Sequence, residues 1–169
     1  MFTEGRDDGV RIGIISDTHG NAGAVEAALE MAPAVDLWLH AGDFVEDARY
    51  LEMRSDTGVV KVAGNGDWPK PDAPNEVVVE VGGHKIFLTH GHTYGVNYGT
   101  TQLAEAAREA GCDIAVYGHT HKVCHEEGEV CILNPGSASR PRDEARPSFM
   151  TVDFLPGKKL EVKEYRLEM

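Results

Sequence analysis

The sequence predicts an α/β fold in which two mixed β-sheets pack together with helices outside. Three observations carry this expectation. The first part of the chain alternates short apolar runs with helix-forming segments, the order of a βαβαβ unit with a parallel sheet. The second half is richer in hairpin signals. The 169 residues, 41% of them hydrophobic, suit one domain with a real core. No repeat, low-complexity segment or linker divides the chain, so residues 1–169 read as a single domain, with the polar, acidic residues 1–9 as a disordered extension.

The elements follow in order. Arg11 to Ser16 (RIGIIS) is a short apolar run and reads as a buried strand. Asn21 caps a helix from Ala22 to Met31, rich in Ala, Glu and Leu, and Pro33 follows its end. Asp36 to His40 is a second strand, a short helix covers Glu46 to Met53, and Gly58 to Val62 is a third strand. After a Pro-rich loop from Trp68 to Pro74, Glu76–Val81 and Lys85–Thr89 flank Gly82-Gly83 as a hairpin. A helix runs from Thr101 to Ala110 and stops at Gly111, and Asp113 to Tyr117 is a strand. Val123–Glu126 and Glu129–Leu133 form a second hairpin, and Phe149–Phe154 and Lys159–Arg166 close the fold. A two-residue turn at Glu127-Gly128 would place Cys124 opposite Cys131, within reach of a bridge under oxidation. With three cysteines and no CxxC pair, free thiols are the expected state.

Composition excludes several classes of function. No apolar run approaches the roughly 20 residues needed to span a bilayer, and the N-terminus is the reverse of a signal peptide, which points to the cytoplasm. A net charge of −12 repels phosphate backbones, so nucleic-acid polymers are not expected partners. Two bound divalent ions would add about four positive charges locally, however, and would invert that logic for a small anion.

The chemistry is concentrated where strands end. The five clusters are Ser16-Asp17-Thr18-His19, Gly42-Asp43, Gly64-Asn65-Gly66-Asp67, Thr89-His90-Gly91-His92 and Gly118-His119-Thr120-His121. In open α/β sheets, ligands bind outside the carboxyl ends of strands, so the clusters would meet on one edge. A lone Asp after a strand is usually a turn residue, and a lone His is usually structural. Five independent turns carrying ligand-type residues at one edge are hard to explain that way. Carboxylates, an amide and imidazoles make a mixed oxygen and nitrogen site, suited to Mn, Fe, Co or Zn more than to Ca or Mg.

The ordered set D-x-H, G-D, G-N-x-D, T-H-G-H and G-H-T-H resembles the calcineurin-like metallophosphoesterase superfamily, in particular its small single-domain phosphodiesterase branch. The resemblance runs from Ile12 to about Ser139. It implies a four-layer αββα sandwich, two divalent metal ions and hydrolysis of phosphodiesters or phosphomonoesters by a metal-bridging hydroxide attacking phosphorus in line. Manganese is the first choice of ion, with iron, nickel, cobalt and zinc as alternatives. On this resemblance Asp17, His19 and His121 hold the first metal, Asn65, His90 and His119 the second, and Asp43 bridges both. His90 is preferred to His92 as a ligand because it directly ends its strand.

One departure matters. Many members carry His after the Asn of the third motif, where this chain has Gly66, and His92 is the candidate to replace it as a catalytic acid, with a positioning or solvent-facing role as the alternative. An aryl leaving group needs no acid, so aryl phosphodiesters should turn over better than alkyl ones. Asp67 and Asn134 read as residues that position the ligands without binding metal. His40 reads as a satisfied core residue, and His84 and His125 as exposed. Arg140, Arg142 and Arg146 read as a solvated loop, with contact to substrate phosphate as the alternative.

The substrate is thus expected to be a small phosphate ester, and a homo-oligomer is left open. A second reading is a non-catalytic scaffold for protein partners, as in the retromer subunit of the same superfamily. That reading predicts eroded ligands, whereas all seven positions are intact. A nuclease is the third reading, disfavoured by the acidic surface.

Overall fold

A computed structural model describes residues 9–67, 73–143 and 146–168. The expected extension at 1–9, apart from Gly9, and most of the Trp68–Pro74 loop lie outside the described residues.

Two five-stranded mixed sheets stack face to face. The first has the order β10-β9-β1-β2-β3, built from β1 (Val10–Ile15), β2 (Leu37–His40), β3 (Gly58–Lys61), β9 (Ser148–Phe154) and β10 (Glu161–Arg166). The second has the order β4-β5-β6-β8-β7, built from β4 (Glu76–Val81), β5 (His84–Thr89), β6 (Ile114–Val116), β7 (Val123–Glu126) and β8 (Cys131–Pro135). Each sheet contains three parallel strands: β5-β6-β8 at the centre of the second, between antiparallel β4 and β7, and β1-β2-β3 in the first, where β3 forms the edge and antiparallel β9 and β10 lie on the other side.

Alternation along the strands sorts the core into layers. Ile12, Ile14, Leu37, Leu39, Met150 and Val152 of the first sheet meet Ile86, Leu88, Ile114, Val116 and Leu133 of the second. On the outer face of the first sheet, Ile15, Trp38 and Phe149 pack against Ala24, Val25 and Ala28 of α1 (Ala22–Met31) and Leu51 of α2 (Val45–Arg54). On the outer face of the second, Phe87, Ala115 and Ile132 pack against Leu103 and Ala107 of α3 (Thr101–Glu109). The result is the αββα sandwich, with two helices on one side and one on the other.

Local signals explain the element ends. Asn21 Oδ1 accepts the Ala24 N–H at 3.0 Å and starts α1, as the sequence predicts. Gly82 and Gly83, at φ +60° and +83°, make the two-residue turn between β4 and β5. The second hairpin differs from expectation. Glu126 pairs with Ile132, so the connection is longer than the two-residue turn, and Cys124 faces Asn134. Cys124 joins the cluster under α3 while Cys131 packs toward the space between the sheets, and all three cysteines are free. A bridge between Cys124 and Cys131 is thereby corrected: the register places them out of line and on opposite faces.

Candidate metal centre

All six parallel strands of the two sheets send their carboxyl ends to one edge, and the candidate residues come from the segments that follow them. Asp17 and His19 follow β1, Asp43 follows β2, Asn65 and Asp67 follow β3, His90 and His92 follow β5, and His119 and His121 follow β6. Asn134 lies at the end of β8.

Two compact groups form there. Asp17, His19 and His121 offer ligand atoms mutually within 4.8 Å, and so do Asp17, Asp43 and His90. Asp17 Oδ1 lies 3.2 Å from His121 Nε2, 3.7 Å from His90 Nε2 and 3.8 Å from His19 Nε2. Asp43 Oδ2 lies 3.5 Å from His90 Nε2 and 3.7 Å from His19 Nε2, so both carboxylates reach both groups. The His19 and His121 Nε2 atoms are 3.3 Å apart. His119 stands beside these groups, its ring 5.2 Å from that of His90. His92 is close to both, with ring separations of 5.4 Å from His90 and 6.1 Å from His119. Asn65 is exposed in a short 3-10 turn, Asn65–Asp67, at the rim.

The surrounding hydrogen bonds aim each group inward. Asp17 Oδ2 accepts from Ser16 Oγ at 2.6 Å and from the His119 N–H at 3.0 Å, which leaves Oδ1 to face the cluster. Asp43 Oδ1 accepts the Gly66 N–H at 2.7 Å, which leaves Oδ2. The ring Nδ1 atoms of His90 and His121 contact the carbonyls of Ala41 at 2.7 Å and Arg140 at 2.6 Å. A carbonyl only accepts, so each Nδ1 carries the proton and each Nε2 turns a lone pair inward. Such outer contacts fix tautomer and orientation at metal-binding imidazoles.

The inward-facing atoms have no donor to satisfy them. Among the described residues, three buried side-chain polar atoms lack a hydrogen-bond partner: Asp17 Oδ1, His90 Nε2 and His92 Nδ1. All three belong to this cluster. Buried acceptors without partners are costly, and a divalent cation satisfies carboxylate oxygens and imidazole lone pairs together. The residues present therefore fit a metal.

Electrostatics agree. Burial opposes charge on Asp43, but the adjoining His90 and His19 rings and the Gly66 N–H pull its pKa down to about 2. Burial also opposes charge on Asp17, and His121, His90 and the Ser16 hydroxyl outweigh it. Both carboxylates thus stay ionised across the physiological range. Burial lowers the pKa of His19, His92 and His119, which favours the neutral, ligating form of each ring.

The backbone is strained here and, among the described residues, nowhere else of this kind. Among the described residues, five non-glycine residues have positive φ: Asp17 (+54°), His19 (+48°), Asp43 (+48°), His119 (+70°) and His121 (+61°). Left-handed conformations cost these residue types about 1–2 kcal/mol each, and such strain gathers at functional sites. Close approach adds to it. A Cβ at Gly118 would lie 2.2 Å from Ser16 Oγ and 2.6 Å from Asp17 Oδ2, and one at Gly66 would lie 2.9 Å from the Asp43 carboxyl. Gly66, where the motif often has His, thus lets the backbone N–H reach Asp43.

Asp67 and Asn134 both contact backbone around the cluster. Asp67 Oδ2 accepts the N–H groups of Gly64 (2.8 Å) and Asp43 (3.2 Å), and its Oδ1 that of Val45 (2.8 Å). Asn134 Nδ2 donates to the Gly118 carbonyl and to Thr120 Oγ1, both at 3.1 Å, bracing the turn that carries His119 and His121. His40 is fully buried, accepting the Gly42 N–H at Nδ1 (3.2 Å) and facing Thr18 Oγ1 with Nε2 (3.1 Å), as expected of a satisfied core residue. His125 is exposed, but His84 is only partly so, because it pairs with Asp113 at 2.5 Å. Sequence reasoning missed Asn97, whose Nδ2 lies 3.2 Å from His119 Nε2. Its position between Gly95 and Gly99 marks a loop but does not say where that loop lands.

An αββα sandwich with a carboxylate and imidazole cluster at its strand ends defines the class of metal-dependent hydrolases built on two mixed sheets. Residues 10–156 match the calcineurin-like phosphoesterase superfamily domain, and the chain belongs to that family. It is 34% identical over 139 residues to the probable metallophosphoesterase YsnB of Bacillus subtilis, covering 80% of this chain and 79% of that one. It is 29% identical over 176 residues to the phosphodiesterase MJ0936 of Methanocaldococcus jannaschii, covering 94% and 100%. Among solved structures it is similar to Vacuolar Protein Sorting 29 of Cryptosporidium parvum, with a TM-score of 0.74, 26% identity and coverage of 95% and 100%.

Proposed function

We propose that this phosphoesterase hydrolyses phosphodiesters of small molecules at a centre holding two divalent cations. The observation that carries this reading is the pair of buried, unpartnered atoms Asp17 Oδ1 and His90 Nε2, which sit together in the group formed with Asp43. The names of the two relatives, a metallophosphoesterase and a phosphodiesterase, support it.

In this reading Asp17, His19 and His121 hold one cation, Asn65, His90 and His119 hold the other, and Asp43 lies between them. Manganese suits the mixed oxygen and nitrogen donors, with iron, nickel, cobalt and zinc as alternatives. Two cations so held lower the pKa of water toward neutrality and offset charge that develops on the phosphoryl oxygens. The residues do the rest. The Ala41 and Arg140 carbonyls hold His90 and His121 in one tautomer, so their Nε2 lone pairs need no reorganisation. Asp43, ionised by its surroundings, keeps its second oxygen turned inward. His92 stands next to His90 in the place that Gly66 cannot fill, but burial disfavours its charged form, so it offers little acid to an alkyl leaving group. The three free thiols suit a reducing, cytoplasmic setting.

The test is hydrolysis of bis(p-nitrophenyl) phosphate with added manganese. Asp43→Ala should lower kcat by on the order of 10²-fold or more. Aryl phosphodiesters should turn over faster than alkyl ones, because aryl leaving groups need no acid. Full activity in Asp43→Ala, or equal rates on the two ester classes, would contradict the assignment of roles. The likeness to Vacuolar Protein Sorting 29 favours one other reading, a metal-binding scaffold for protein partners. Bound metal with no turnover under any divalent ion would decide for the scaffold.

A further inference from the structure

The arginines of this acidic chain are almost all neutralised. Arg11 pairs with Asp153, Arg49 with Glu46, Arg54 with Glu26, Arg108 with Glu129, Arg146 with Glu168, and Arg166 with Asp143 and Glu164. Among the described residues the two arginines outside this pattern are Arg140 and Arg142, and they flank the same candidate ligand. His121 Nδ1 donates to the Arg140 carbonyl, and the Arg142 N–H donates to the His121 carbonyl at 2.9 Å. The Arg140 charge falls on the His19 side of the centre. Arg142 lies on the side of Asn97 and Thr120.

There it lines a cleft of about 390 Å³. Lys122, Asn97 and Thr120 share its walls, and Lys122, like Arg142, has no acidic partner among the described residues. The cleft abuts the metal centre directly. Asn97 reaches across to His119, and Thr120 sits between His119 and His121. Glu126 stands on the lining too, but its carboxylate is engaged by the Thr100 hydroxyl at 2.7 Å. Two exposed side-chain cations without an acidic partner among the described residues, in a protein of net charge −12, favour an anion in this cleft beside the centre.

We propose that this cleft is a subsite for a second phosphate of the substrate, held by Lys122 and Arg142, while the ester to be cleaved lies at the metal centre. The substrate class is then small bisphosphorylated esters, not singly charged diesters. The proposal rests on the phosphodiesterase reading for its chemistry, but the subsite can be measured without turnover.

The experiment uses the full chain and a matched pair of ligands. The p-nitrophenyl ester at the 5′-phosphate of thymidine 3′,5′-bisphosphate carries the second phosphate, and thymidine 5′-(p-nitrophenyl phosphate) lacks it. Wild-type kcat/KM should be at least about tenfold higher for the first, and that ratio should fall as ionic strength rises. In the Lys122→Ala/Arg142→Ala double variant the ratio should collapse toward one. Arg142→Lys should keep part of it. In parallel, calorimetry with thymidine 3′,5′-bisphosphate and thymidine 5′-monophosphate reads the same preference at equilibrium, with and without manganese. No preference in the wild type, by rate or by binding, overturns the subsite, as does a preference that survives in the double variant. Preferential binding that the double variant loses, without hydrolysis of either ester, upholds the subsite and removes the phosphodiesterase reading instead.

Discussion

His40 shows what complete burial does to one imidazole. Desolvation outweighs the carboxylates of Asp17, Asp47 and Asp67 and drives its pKa to about 4. The Gly42 N–H donates to Nδ1, so the ring is neutral with its proton on Nε2. In the unfolded chain the same ring titrates near its ordinary 6.5, so as pH falls the unfolded state takes the proton first. The contribution of His40 to stability is therefore full above pH 6.5 and declines to nothing between pH 6.5 and about 4, by about 3 kcal/mol in all. Denaturant titrations of metal-free protein should show this decline in the wild type and a flatter one, by up to one proton, in His40→Asn. The neutral core role of His40 was legible in the sequence, because it sits within the apolar run of β2. The contact of Asn97 with His119 was not, since a loop 22 residues upstream has to fold back to make it.

At the level of elements, α2 depends on a residue from outside itself. Its N-terminal position is Phe44, which offers no capping side chain. Asp67, after β3, fills the gap by accepting the Val45 N–H, and its other oxygen holds the Asp43 and Gly64 amides. One carboxylate thus joins the start of a helix, the segment carrying Asp43 and the segment carrying Asn65. Asp67→Ala should cost about 1–3 kcal/mol, because three amides lose an ionised acceptor. It should also weaken manganese binding by about 10–100-fold by releasing Asp43. Calorimetric metal titration and urea unfolding of the same variant check both effects. Strands and helices were readable one by one because apolar alternation and caps are local signals. The register of β7 on β8 was not, because Glu126 pairs with Ile132 through a longer loop than the Glu127-Gly128 turn signal suggests. Packing of Cys124 under α3 sets that register, and it is a tertiary contact.

For the molecule as a whole, the architecture gathers six parallel strand ends from two sheets on one edge. That convergence could be anticipated, since clusters of Asp, Asn and His closed one predicted strand after another. What the sequence left open was how the two sheets face each other, which depends on the interlocking of Ile12, Ile14, Leu37 and Leu39 with Ile86, Leu88 and Ile114. In the proposed two-cation reading, ions bound at this edge would tie both sheets together and stabilise the whole fold by mass action. With free manganese at about 1,000 times its dissociation constant, the gain is about 4 kcal/mol. Chelation should therefore lower Tm by on the order of 10 °C for a domain of this size. Differential scanning calorimetry with and without a chelator measures it, and an unchanged Tm would mean that the ions do not bridge the sheets. Among the described residues no helix is long and apolar enough to cross a membrane.

The left-handed backbone at Asp17, His19, Asp43, His119 and His121 has a thermodynamic corollary. A chain released from the demand to bind ions would fold more comfortably with glycine at these positions, so drift without selection should erode them early. Their joint presence lowers the stability of the metal-free fold, a loss that bound ions would offset in the proposed reading.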